Sequence, residues 1–398
     1  MRVAIITESF LPHMNGVTGS VLQVAHHLRR TGHEVLVVAP RSPGEAVDVS
    51  GIEVPEATYL TSLPLPSYPE VRVAVATVGR LRRILRGFEP DVVHLASPAI
   101  LGWQGLLAAD GIGVPTVAVY QTDVISYAQR YGVPGAMPLA QSHIARLHRR
   151  ATLTLAPSSH AERQLAGLGV DRISRWGRGV DAARFSPARR SARWRAQVAA
   201  GVVPDGRELP VAAGLVAPAP AEQAEPRVIG YVGRLAPEKQ VADLRVLSDI
   251  PNTRLVIVGD GPERARLQRE LPGAVFTGFL GGDALAEAVA SFDVFVHPGE
   301  SETFCQTVQE ALASGVPVVA TGRGGPVDLV RSSVDGWLYR PGDLDDLRAR
   351  VVDLVGDDAK RSSFALAARD SVRSRTWASL TAQLLEHYRR ATFAPAHA

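Results

Sequence analysis

The chain has 398 residues, 46% of them hydrophobic and 21% charged, with a formal net charge of +3. That length exceeds one ordinary domain and fits two of about 150–200 residues, each able to bury its own core. No apolar run reaches the roughly 18–20 residues that span a bilayer, and the single cysteine, Cys305, excludes an intramolecular disulfide and fits a reducing compartment.

The first forty residues read as strand, loop, helix and strand. Residues 3–7 form a buried-strand run, 8–16 a loop with Pro12 and Gly16, and 17–30 a helix with apolar spacing at Val21, Val24, Ala25 and Leu28. Gly32 stops that helix, and 34–39 is the second strand. Because Met1-Arg2-Val3-Ala4-Ile5-Ile6 enters a strand with no small-residue cleavage site, a signal peptide is not expected, and the chain reads as cytoplasmic. Further strands are expected at 92–95, 116–120 and 152–156. A helix near residues 78–86 sets Arg80, Arg82, Arg83 and Arg86 against Val78, Leu81, Ile84 and Leu85. Such a basic amphipathic helix either rests on an anionic membrane at its inner face or packs one side on its own sheet.

The alternation restarts after residue 226, with strands at 227–233, 255–258, 275–277, 294–297 and 316–320. Strands alternating with helices imply parallel sheets covered on both faces. The expected fold is α/β, two doubly wound Rossmann-like domains, at 1–178 and 179–377, facing an interdomain cleft. Residues 199–226, rich in Ala, Pro and Gly, read as an insertion or linker extension, and a final helix at 380–391, within a closing segment 378–398, is expected to rejoin the first domain.

Two motifs carry chemistry. In Glu302-Thr303-Phe304-Cys305-Gln306-Thr307-Val308-Gln309-Glu310 a strand ends at His297, a loop follows, and a helix starts near Phe304. A diphosphate at that helix start would meet free N–H groups and the positive end of the dipole. Glu302 could then serve a sugar and Glu310 ribose hydroxyls; an ordinary solvated helix is the alternative. The second motif, Gly233-Arg234-Leu235-Ala236-Pro237-Glu238-Lys239, directly follows a strand. Arg234 and Lys239 could stabilise a departing nucleoside diphosphate without a metal; a plain surface turn is the alternative. Lys239 and Lys360 are the only lysines, which makes Lys239 conspicuous and an arginine-rich pI poor evidence for a nucleic-acid partner.

In this order the two motifs resemble the family-four retaining glycosyltransferases of the GT-B fold. Gly16, Gly179-Val180-Asp181 with Phe185 and Pro187, and Gly259-Asp260-Gly261-Pro262 extend the likeness over most of the chain outside 199–226. The resemblance implies that Gly16 lets a loop approach the diphosphate, that Arg234 and Lys239 hold phosphates, and that Phe279 and Leu280 lie by the base. It further implies that Glu310 binds ribose, while Glu302 and the backbone of Thr303, Phe304, Cys305 and Gln306 hold sugar and phosphates. Within the family the chain is most similar to actinobacterial GDP-mannose-dependent α-mannosyltransferases acting on lipid-linked or inositol-type acceptors. The expected reaction is therefore transfer of mannose to a lipid or small glycoside or polyol, by front-face displacement. Many relatives carry a His where this chain has Gln121, which can bond a sugar hydroxyl but cannot titrate. Asp123 nearby either orients an acceptor hydroxyl or caps a helix. Arg72 is a candidate for an anionic acceptor headgroup.

Other signals are set aside. Asp343-Leu344-Asp345 resembles a metal-binding Asp-x-Asp but opens a helix, where acidic caps are expected. His26, His27, His143, His148 and His160 lack metal-ligand spacing. No metal or other cofactor is expected. Gly16 and Gly19 do not make a dinucleotide fingerprint. The rival readings are a nucleotide-sugar 2-epimerase of the same architecture and a non-catalytic nucleotide-sugar sensor.

Overall fold

The computed structural model describes residues 1–44, 49, 52–65, 68–121, 136–203 and 225–393. Asp123 and most of the expected insertion (204–224) lie outside them. The chain divides into two compact units: Met1–Gly179 together with the segment from Trp377 onward, and Val180–Thr376.

In the first unit the strands are β1 (Arg2–Ile6), β2 (Glu34–Pro40), β3 (Glu56–Leu60), β4 (Ser62–Leu65), β5 (Tyr68–Ala74), β6 (Val92–Leu95), β7 (Thr116–Val119), β8 (Leu153–Ala156) and β9 (Ile173–Arg175). Seven of them form a parallel sheet in the order β3-β2-β1-β6-β7-β8-β9, and β4 and β5 form a separate antiparallel hairpin. Strand β1 shows why the runs are continuously apolar. Val3 and Ile5 join one core while Ala4 and Ile6 join the other, so both faces are covered. Helices Gly16–Arg30 and Trp377–Phe393 cover the first face. Val78–Phe88 and Ile100–Asp110 cover the second. The final helix is tied in by Trp176, whose Nε1 donates to the Leu380 carbonyl at 2.8 Å. Gly179 has no room for a Cβ, which would lie 2.5 Å from the Trp377 Cα.

The second unit has β10 (Arg227–Val232), β11 (Thr253–Val258), β12 (Val275–Gly278), β13 (Val294–His297), β14 (Val318–Thr321) and β15 (Gly336–Tyr339). They form one parallel sheet in the order β12-β11-β10-β13-β14-β15. β14 begins two residues later than the sequence predicts. Pro317 has no N–H for the ladder, and the Val316 N–H caps the preceding helix at the Ala311 carbonyl.

Candidate active site

In both sheets the chain steps to one side after the first strand and later returns to the other. Ligands in such sheets bind outside the carboxyl ends of the strands at that reversal. In the second unit the reversal lies between β10 and β13, which pair at Ile229–Val294 and Gly230–Phe295. The two motif loops leave these neighbouring strands side by side, although 63 positions separate Lys239 from Glu302.

Glycines shape the approach. The loop after β10 lies on Gly259, where a Cβ would sit 1.9 Å from the Gly233 carbonyl oxygen, with φ at +138°. Leu235 N–H donates to the Asp260 carbonyl at 2.9 Å. Gly299 brings the β13 loop against the Lys239 backbone, and Glu300 N–H donates to Gln240 Oε1 at 3.0 Å. The loop from Lys239 is thereby clamped over Glu302.

There Lys239 Nζ donates to Glu302 Oε1 at 2.5 Å, and His297 Nε2 lies 3.1 Å from the same oxygen. Tyr231 stacks on the His297 ring at 5.9 Å between centroids, and its hydroxyl donates to the Arg234 carbonyl. Burial pushes the Glu302 carboxyl up, but Lys239 and His297 outweigh that and hold it at about 2. Burial likewise pushes the His297 imidazole down, while Cys305 and Glu302 outweigh that and carry it up to about 9. The Lys239 ammonium and the His297 ring thus converge on a single oxygen of Glu302.

The helix of this motif is Gln306–Ala313, beginning after Cys305 rather than at Phe304. Cys305 takes a left-handed conformation, φ 78° and ψ 73°, so the chain turns sharply before the helix starts. Thr303, Phe304 and Cys305 are buried, and Phe304 belongs to the unit's core, so it can offer a ligand only backbone. Gly325 backs this loop. Its N–H donates to the Glu302 carbonyl at 2.8 Å, and a Cβ there would lie 2.2 Å from the Phe304 oxygen. Gln306 and Glu310 are half-buried on the helix, and Arg234 is exposed on the neighbouring loop. Phe279 is 67% exposed after β12, with Leu280 beside it against the core.

The first-unit candidates separate into two groups. Gly16 opens helix Gly16–Arg30, and a Cβ on it would approach Arg178 Nη1 to 3.1 Å. Gln121 donates to the Ala96 carbonyl at 2.8 Å and accepts from Arg178 Nη2 at 2.7 Å. Gly16, Gln121 and the buried Arg178 thus form one group. Arg72 stands apart, with its guanidinium taken up by Ser62 in the hairpin, at 2.8 Å to both the hydroxyl and the carbonyl. Asp343 caps its helix through the Asp346 N–H at 2.9 Å, as its position predicts.

Sequence reasoning passed over Arg178 and the part played by His297. A lone Arg before Gly179-Val180-Asp181 gives no signal. His297 is the last residue of an apolar strand five positions from Glu302, and that spacing was the available clue. Among the described residues, His297, Glu302 and Cys305 are the group able to hold a metal, with one ligand atom each within 4.8 Å of one another. The Lys239 ammonium on Glu302 Oε1 supplies positive charge at that carboxylate already.

A profile described as Glycosyltransferase Family 4 matches residues 14–184, and one described as Glycosyl transferases group 1 matches residues 217–371. The chain is 49% identical to a protein of Mycolicibacterium smegmatis named GDP-mannose-dependent alpha-mannosyltransferase, over 98% of this chain and 97% of that one. A protein of the same name from Corynebacterium glutamicum is 40% identical, with coverages of 98% and 88%. Among solved structures, sucrose-phosphate synthase from Thermosynechococcus elongatus superposes with a TM-score of 0.77 at 19% identity, covering 98% of each chain. HepE of Anabaena, in complex with UDP and glucose, gives 0.74 at 18% identity, covering 97% of this chain and 99% of that one. At such identities the structures speak for the fold. The two profiles and the near-full-length relatives speak for the family: the chain belongs to the family-four glycosyltransferases of the GT-B fold.

Proposed function

We propose that the enzyme moves mannose from GDP-mannose to a hydroxyl of a lipid-linked or small glycoside or polyol acceptor, with retention and without a metal. The observation that carries this reading is the Lys239–Glu302–His297 cluster beside the start of helix Gln306–Ala313. The name of the 49% identical relative supports the base and the sugar. As the bond from C1 to the phosphate oxygen breaks, charge grows on the diphosphate. Lys239, Arg234 and the helix N–H groups supply the countercharge. The acceptor oxygen bonds to C1 on the same face, and its proton passes to the leaving phosphate oxygen. Glu302 then orients the sugar, and Glu310 takes the ribose hydroxyls.

The test offers GDP-mannose, UDP-glucose and ADP-glucose separately with an actinobacterial polar lipid extract and weighs the products. Addition of one hexose from GDP-mannose is expected. Preference for another donor, or epimerised donor in the absence of extract, would sink the reading. Glu310→Ala should weaken GDP binding by roughly tenfold, the loss of a charge-assisted hydrogen bond, measured by calorimetry. Excess EDTA should leave the rate unchanged; a loss restored by Mg²⁺ or Mn²⁺ would refute metal independence.

Association with the inner membrane face is part of the same reading. Arg80, Arg83 and Arg86 are exposed on helix Val78–Phe88, whereas Arg82 is half-buried against Gly111. Replacing the three exposed arginines by alanine should reduce co-sedimentation with phosphatidylglycerol vesicles, by about 1 kcal/mol per residue at most. Equal sedimentation with phosphatidylcholine vesicles would argue against an electrostatic contact.

A further inference from the structure

The first unit has its own strand-order reversal, between β1 and β6, which pair from Val3–Val92 to Ile6–Leu95. Glu8 follows β1 there. Its Oε1 accepts from Leu101 N–H at 2.6 Å and Gly102 N–H at 3.2 Å, and its own N–H donates to Ser97 Oγ at 3.3 Å. Helix Ile100–Asp110 has no side-chain cap from its own Ala99, so Glu8 reaches across from another element to supply one. Gly102 makes the approach possible, since a Cβ would lie 2.0 Å from the Ser97 carbonyl oxygen.

We propose that Glu8 positions the acceptor, its Oε2 taking a hydrogen bond from an acceptor hydroxyl while Oε1 stays fixed on the helix. A serine or asparagine at position 99 would cap this helix without burying a carboxyl group. Among the described residues no cation pairs with Glu8, and both of its side-chain hydrogen bonds run to Oε1. Burial pushes its pKa up to about 7, against the pull of the Gly102 and Leu101 N–H groups. A carboxyl group without a cation beside it offers a diphosphate no countercharge and suits a neutral hydroxyl. That favours the acceptor over the phosphates of the donor. The inference rests on the transferase reading above.

Glu8→Gln separates this role from simple capping, because the glutamine oxygen still accepts the Leu101 and Gly102 N–H groups. Using GDP-mannose and the polar lipid extract, the variant should raise the acceptor KM at least tenfold. Donor KM should stay within twofold, and the melting temperature should match the parent. Glu8→Ala should show the same KM split with a lower melting temperature. An unchanged acceptor KM in Glu8→Gln, or a rise in donor KM instead, overturns the proposal. A parent enzyme that transfers nothing to the extract overturns the transferase reading itself, and this inference with it.

Discussion

Replacing Lys239 by alanine should lower turnover by roughly 10²–10³-fold, the loss typical when one preorganised charge-stabilising group is removed. Its ammonium sits 2.5 Å from Glu302, with the lysine side chain 15% exposed and the glutamate 13%. The geometry therefore predicts two separable effects. Turnover falls because a fixed cation no longer faces the leaving diphosphate. Stability falls because a buried carboxylate loses a partner, which costs up to about 3–5 kcal/mol when nothing replaces it. Here His297 remains on the same oxygen, so the stability loss should fall short of that range. Lys239→Arg should recover part of the stability. Steady-state kcat and thermal melting, measured on the same samples, check both effects. A kcat within a few-fold of the parent would remove Lys239 from the account of leaving-group departure.

Glu302→Gln should likewise cost about two orders of magnitude in turnover, and its effect on stability should depend on pH. Glu302 is held at about 2 against an ordinary 4.5, so its contribution is complete above pH 4.5 and is lost as pH falls through about 2. His297 is carried to about 9 against an ordinary 6.5. Its contribution is complete below pH 6.5 and is lost as pH rises through about 9. The stability gap between parent and His297→Gln should therefore narrow from pH 6.5 to 9. The gap between parent and Glu302→Gln should narrow from pH 4.5 to 2. Denaturant titrations across that range decide it, and gaps that stay level would show that the two groups are uncoupled.

The central strands were legible because burial on both faces leaves a continuous apolar run, as at Val92–Leu95 and Val294–His297. Strands β3, β9 and β15 at the sheet edges were not. They are half-exposed, so no such run marks them. In the site, Glu302, Glu310, Arg234 and Lys239 could be named from local context. The bond between Lys239 and Glu302 could not, because it depends on which strands become neighbours. Glu8 was passed over for the same reason: its partners, Leu101 and Gly102, follow a different strand. The helix start was misplaced by two residues, because propensity does not foresee a left-handed cysteine at 305.

The first unit is completed by a segment that follows the whole second unit in the chain. Tyr388 on the final helix places its hydroxyl 2.5 Å from His94 Nδ1, and Leu380, Leu384 and Leu385 fill the core beside β1. During synthesis, then, the amino-terminal half must wait with part of one apolar face uncovered while the whole second unit emerges, inverting the usual N-terminal-first order. Nascent chains arrested just after Thr376 should lose the first unit to brief protease treatment and keep the second. Equal resistance of both would mean that the last helix adds little to the assembly of the first.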